Sequence, residues 1–264
     1  MKNVIAAAMI AAVGASASAS VLYATSFEAP TFAAGALNGQ DGWTAASNPA
    51  SLFQVNGAAG FARTGSQFVF ANTANQAATG SNWNFRPTIV DPVTAPNSII
   101  RASVWTAVLN NTTAAVNRQS AGGIDLYDNA TGGRIGGIRV RNDGAIVVLN
   151  SAGSSGTLGA GSVTGNAYNQ VSVEADFGLG VVRYFINGIQ INTSGLGATW
   201  ANFTAANGFG DADLYTVRTN TNTTTNSGGH TVLFDDFSVE RIPTPGALSV
   251  LGLAGLVAAR RRRA

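Results

Sequence analysis

The chain has 264 residues, 45% of them hydrophobic and 11% charged, with 32 glycines and no cysteine. That much apolar surface excludes a disordered chain, and the missing cysteine excludes disulfides and thiolate metal sites. The net charge of +2 comes from the two ends; between Ser20 and Glu240 nine arginines face thirteen acids, and a negative body without a basic stripe argues against nucleic acid as a partner.

The chain opens MKNVIAAAMIAAVGASASAS. Lys2 supplies a short positive region, and Val4 to Val13 is apolar but too short to span a membrane as a helix. Ala17-Ser18-Ala19 then has the small-x-small pattern of a cleavage site, with Ala15-Ser16-Ala17 as the alternative. Residues 1–19 therefore read as a Sec-type signal helix, which makes the Sec translocon a partner and the product an exported one. A buried N-terminal helix is the competing reading.

Residues 20–242 form one body with no fixed-period repeat and no convincing amphipathic helix. Short runs rich in Val, Ile, Phe and Thr alternate with Gly/Asn/Ser/Asp clusters, the signature of an all-β chain. Strands are predicted at 21–28, 51–56, 67–72, 98–110, 122–129, 133–142, 145–150, 170–177, 181–192 and 231–242. Asn142-Asp143-Gly144 and Asn187-Gly188 mark turns. Residues 151–165 and 216–229 read as flexible. So many antiparallel strands in one body predict a two-sheet antiparallel β-sandwich.

One hairpin can be registered from pattern alone. Val171, Val173, Ala175 and Phe177 share a face, as do Val182, Tyr184 and Ile186 on the next strand. A loop of Phe177 to Gly180 sets Asp176 opposite Val181, Ala175 opposite Val182 and Val173 opposite Tyr184. Glu174 then meets Arg183 on the polar face, an opposite-charge pair across strands.

Several polar groups are candidates for chemistry. Glu174 and Asp176 lie two apart on a strand, with Cα atoms roughly 6.5–7 Å apart, a spacing compatible with glycoside hydrolysis; pairing with Arg183 on a solvated face is the plainer reading. Asp211 and Asp213 repeat that spacing and read as loop acids. On the last strand, alternation groups Leu233, Asp235 and Phe237, so one acid points among apolar neighbours and needs a partner. A hard cation, or hydrogen bonds from backbone or arginine, would serve. Among Trp43, Trp83, Trp105 and Trp200, Trp105 is the best candidate for a sugar-stacking platform. It shares its face with Arg101 and Ser103, while Ala102, Val104 and Val108 fill the other; core packing is the alternative. His230 is the only histidine, which excludes a histidine metal cluster.

The last segment, 243–264, reads PTPGALSVLGLAGLVAARRRRA. Gly246 to Ala259 carries no charge and as a helix covers about 21 Å, against about 30 Å of hydrocarbon. Counting from Pro243 and letting arginines snorkel brings it near spanning length, with Arg260, Arg261, Arg262 and Arg263 on the cytoplasmic side. Pro-x-Pro, a short apolar helix and a terminal arginine cluster together resemble the PEP-CTERM sorting tail of Gram-negative bacteria that make exopolysaccharide. The motif falls on Pro243, Thr244, Pro245 and Gly246, with Thr244 replacing the usual acid. The resemblance implies an exosortase, a membrane-embedded protease, as partner. It also implies transient inner-membrane anchoring before release of the body; an ordinary retained anchor is the alternative.

The body carries a resemblance too. YNQVSVEADFGLGVVRYFINGIQI (168–191) resembles the central hairpin of laminin-G-like and concanavalin A-like jelly rolls. SFEAP near the start and LFDDFSV near the end resemble their first and last strands, and FEAPTFAAGALNGQDGW (27–43) is similar to the opening of other PEP-CTERM cargo. The resemblance implies adjacent first and last strands and a structural Ca²⁺ between them, with Glu28 and either Asp235 or Asp236 as ligands. Glucanases of this fold carry Glu-x-Asp-x-x-Glu; here the third position is Leu179, so the acid is missing. The expectation is an exported surface or matrix protein, non-enzymatic and meeting polysaccharide. The alternative is a secreted glucanase-like enzyme with atypical acids.

Overall fold

A computed structural model of the chain describes residues 19–45, 52–58, 60–72, 82–86, 98–109, 118–129, 132–158, 162–203, 208–220 and 231–243. The predicted leader up to residue 18, the tail from Thr244 and His230 lie outside them. Among the described residues no helix is long and apolar enough to cross a membrane.

The strands are, in order, β1 (Ser20–Thr25), β2 (Gly35–Ala36), β3 (Thr44–Ala45), β4 (Phe53–Asn56), β5 (Phe68–Asn72), β6 (Asn82–Arg86), β7 (Ile99–Leu109) and β8 (Arg118–Asp128). They continue with β9 (Arg134–Arg141), β10 (Ile146–Leu149), β11 (Ser155–Leu158), β12 (Asn169–Asp176), β13 (Val181–Ile186), β14 (Ile189–Gln190), β15 (Phe209–Asn220) and β16 (Thr231–Ile242). They form two antiparallel sheets. The nine-stranded sheet runs β14-β13-β12-β7-β16-β5-β4-β2, with β1 also on β16; the seven-stranded sheet runs β11-β10-β9-β8-β15-β6-β3.

The inner faces follow from period-two alternation. Ala102, Val104 and Val108 of β7, Val171, Val173 and Ala175 of β12, and Tyr184 of β13 are fully buried. They belong to the same core as Ile124 and Leu126 of β8, Ile138 and Val140 of β9, and Leu214 of β15. Each valine, leucine and isoleucine among them contributes about 1.5–3 kcal/mol by leaving water. Tyr184 crosses the core, its hydroxyl donating to the Leu149 carbonyl of the opposite sheet at 2.6 Å. Burial raises its pKa, so at neutral pH the phenol keeps the proton that makes this bond.

The β12–β13 hairpin has the predicted register: Asp176 opposite Val181, Glu174 opposite Arg183, Val173 opposite Tyr184. The turn after β13 is Asn187-Gly188, with φ of 50° and 78°. Two consecutive positive φ values are what a two-residue hairpin turn needs, and Asn-Gly tolerates them best.

Three expectations need correction. The stretch 151–165 contains an edge strand, β11, paired with β10. Residues 216–220 continue β15, so Asp211 and Asp213 are strand residues, not loop acids. The third concerns β16: Leu233, Asp235 and Phe237 do not share a face. The register slips between Asp235 and Ser238, and Asp236 takes a φ of 46°. This bulge sends Phe237 into the main core, whereas Leu233 packs with Phe68 and Ala107 on the sheet's outer side. The bulge also marks where β16 exchanges its neighbour β5 for β1.

Candidate functional site

Polar side chains gather on the outer face of each sheet. On the nine-stranded sheet, β7, β12 and β13 bring Arg101, Glu174 and Arg183 into one row. Glu174 accepts from Arg101 Nε at 3.1 Å and from Arg183 Nη1 at 2.9 Å. Asp176 accepts from Arg183 Nη2 at 3.2 Å and from the Gly178 and Leu179 amides at 3.1 and 3.0 Å. Both acids are buried, so the solvated-face reading is corrected, while the partner it named, Arg183, is present. Leu179 sits in the turn, 70% exposed. Arg101 is occupied twice, by Glu174 and by the Phe185 ring 4.8 Å away.

Trp105 is half-buried, and the Arg63 guanidinium lies over its ring at 3.6 Å. The segment that delivers Arg63 is held by all three acids expected to bind calcium. Asp235 accepts from the Arg63 and Thr64 amides at 2.8 and 3.1 Å. Asp236 pairs with the Arg63 guanidinium and accepts from Thr64 Oγ1 at 2.6 Å. Glu28 accepts from the amides of Ser66 and Gln67 at 2.8 and 2.7 Å and from Ser66 Oγ at 2.9 Å. Gly65 leaves room for this, since a Cβ there would fall 2.4 Å from Glu28 Oε1.

Calcium does not fit this arrangement. N–H and O–H donors already point at the carboxylates, where a cation would need bare oxygens. Among the described residues no group of three or more acidic or histidine side chains could hold a metal ion. The alternative partners, backbone and arginine, are the ones present. Burial pushes the Asp235 carboxyl up to about 6, against the pull of its amide donors. Burial acts upward on Glu28 as well, but there the amide and hydroxyl donors outweigh it, and its pKa falls.

The seven-stranded sheet carries the site that the sequence reading missed. Asp125 on β8 lies opposite Gly137 on β9 and Asp213 on β15; Gly123 lies opposite Arg139 and Tyr215. The two glycines are what make this cluster possible. A Cβ at Gly137 would fall 2.0 Å from Asp125 Oδ1 and one at Gly123 1.9 Å from the Ile138 carbonyl. With both absent, Arg139 reaches sideways. It donates to Asp125 at 2.8 and 3.1 Å, and its guanidinium lies 3.4 Å from the Tyr215 ring centre. Arg134 Nε adds a bond to Asp125 at 3.0 Å. Asp125 is completely buried, although it points away from the core. Burial pushes the Tyr215 phenol up to about 12, against Arg139, whose charge pulls it down.

Above this cluster lies a cleft of about 330 Å³, lined by Arg134, Arg139 and Arg141, by Tyr215, Val147 and Leu149, and at its rim by Ser155 and Thr157. The signal was present in the sequence, as "GGIDL" beside "RIGGIRVR". Outward glycines on neighbouring strands, next to an outward acid and arginine, mark room for long side chains. Of the other tryptophans, Trp43 is in the core, Trp200 packs against it, and the Trp83 side chain lies outside what the structure describes.

No protein-family model matches this sequence, and no curated protein matches it. Solved structures do resemble its fold. A carbohydrate esterase of Shiga toxin-encoding bacteriophage phi24B aligns with a TM-score of 0.50 at 14% identity, over 84% of this chain and 99% of that one. An endo-1,3-beta-glucanase from Streptomyces sioyaensis aligns at 0.47 and 13%, over 86% and 98%. The cellulose induced protein Cip1 aligns at 0.47 and 15%, over 82% and 96%. At such identities the likeness concerns the fold alone, a two-sheet antiparallel β-sandwich.

Proposed function

We propose that the body is a non-enzymatic polysaccharide-binding module of concanavalin A-like jelly-roll type, exported to the bacterial surface or extracellular matrix. Residues 1–19 are its leader, and 243–264 are a tail sorted by an exosortase. The observation that carries the binding reading is the cleft of the seven-stranded sheet. Its lining combines apolar side chains, hydroxyls and arginines over the buried Tyr215–Arg139 stack, a mixture that sugar rings and their substituents engage. The carbohydrate-active proteins among the fold's likenesses are in keeping with it.

Two features favour binding over turnover. Asp125 is buried beneath the cleft and bonded to Arg134 and Arg139, so it has neither reach nor free oxygens for an acid–base role. Glu174 and Asp176 are tied in the same way to Arg101 and Arg183 on the other sheet. A panel of polysaccharides screened for binding, with reducing ends counted after prolonged incubation, tests the reading. Retention without release of reducing sugar is expected; steady release would replace it with the glucanase-like alternative. Mass spectrometry of the exported product tests the two ends, with loss of residues near 1–19 and cleavage near Pro243 expected.

A further inference from the structure

We infer that the cleft of the seven-stranded sheet takes an acidic polysaccharide, one that bears carboxylates along its length. This rests on the binding reading above and names its ligand class. Among the described residues every charged side chain that lines the cleft is an arginine: Arg134, Arg139 and Arg141. The carboxylates that balance them are placed differently. Asp125 and Asp213 lie beneath the cleft, 0% and 2% exposed, and Asp143 holds Arg141 from the turn at its side. Asp125 is also shared, one carboxylate serving two guanidiniums. Within the cleft's lining a ligand therefore meets guanidinium groups, while Asp143, 29% exposed, stands outside it.

The wider field has the same sign. The strands of this sheet carry six arginines (86, 118, 134, 139, 141 and 218) and four acids. The strands of the other sheet carry three arginines (101, 183 and 241) and five acids. Counted along the strands, a body that is negative as a whole thus holds its positive share in the sheet that carries the cleft, a distribution that favours a polyanion on that side. Guanidinium suits the task, because its planar fork matches a carboxylate and it holds its proton at any working pH. Arg134 and Arg141 keep about a fifth of their side chains exposed, 18% and 19%. Val147 and Leu149 lie alongside for the apolar faces of sugar rings. The edge strand β11 bounds the cleft with two small hydroxyl residues, Ser155 and Thr157, both exposed.

Affinity electrophoresis of the purified full chain tests this, with polygalacturonate and alginate as probes and polygalacturonate with its carboxyls reduced to alcohols as the neutral control. Retardation by the acidic polymers, absent with the reduced one and weakened as salt rises from about 50 to 500 mM, is the expected result. Arg141→Gln should weaken it about tenfold. Thr157→Glu, an exposed edge-strand change that leaves the buried cluster intact, should weaken it by at least as much. Equal retardation by acidic and reduced polymers would overturn the anionic preference while leaving polysaccharide binding in place. Acid-selective binding untouched by both variants would move the ligand off this cleft and overturn the assignment. Failure to bind any polysaccharide would remove the binding reading itself, and this inference with it.

Discussion

The two outer faces use the same three parts to opposite effect. Each stacks an arginine on an aromatic ring and anchors it with aspartate: Arg63 on Trp105 with Asp236, and Arg139 on Tyr215 with Asp125. On the nine-stranded sheet the arginine comes from a segment that lies above the strands, so the stack is a cover, and Arg63 and Trp105 line a shallow cleft of about 670 Å³ together with the acids Glu28 and Asp236. On the seven-stranded sheet the arginine grows from the sheet itself, through space that two glycines leave, so the stack is a floor and the cleft above it stays open. The direction from which the cation arrives decides the character of the cleft: acids share the lining where the arginine is a cover, and arginines supply its charge where the arginine is part of the floor.

The comparison breaks most readily at Arg139. Arg139→Ala leaves Asp125 buried with one guanidinium instead of two and should cost about 3–5 kcal/mol in denaturant unfolding. The cover on the nine-stranded sheet should also respond to pH. The folded-state pKa of Asp235 is raised to about 6, so folding takes up a proton between its ordinary value near 4 and that pKa. Stability from this group therefore grows by about 2 kcal/mol as pH falls from 7 to 4. Glu28, whose pKa is lowered, acts the other way, and only below its ordinary range. Thermal melts of Asp235→Asn should lose the slope between pH 4 and 6; an unchanged slope would refute the assignment.

Gly137→Ala sharpens the contrast, since its Cβ can be accommodated only by moving the Asp125 carboxylate. A loss of about 2 kcal/mol is expected, with weaker binding in the cleft. The smallest change is expected at the cover. Arg63→Ala removes a half-exposed stack and an ion pair and should cost about 1 kcal/mol. Acrylamide should then quench a larger share of the tryptophan fluorescence, because Trp105 is uncovered.

Much of the fold was legible in order along the chain. The β12–β13 partners could be written down before the structure, because alternation assigns faces and a short loop leaves one register that keeps them apart. The 231–242 strand was placed to the residue, yet its bulge was not foreseen. Nothing local announces that Asp236 will turn to positive φ; that follows from β16 having to serve β5 with one half and β1 with the other. The 209–220 strand is not legible in the sequence, where Asp211 and Asp213 read as loop acids and 216–229 as a flexible Thr/Asn run; it shows as strand only once its pairing with β6 and β8 is known.

The chain alone, then, determined the all-β class, the inward and outward residues of its regular strands and the register of a local hairpin. These depend on period-two geometry and on turns of a few residues, which a linear pattern contains. The readings of the leader and tail as sorting segments rest on the chain alone as well. Tertiary structure decided which polar groups meet. Asp125 finds Arg139 on the next strand, Arg139 finds the ring of Tyr215 on β15, and Arg63 reaches Asp236 from the far side of the sequence. Those meetings depend on how long segments close and pack. A burial pattern says that a side chain points outward, but not what arrives to cover it.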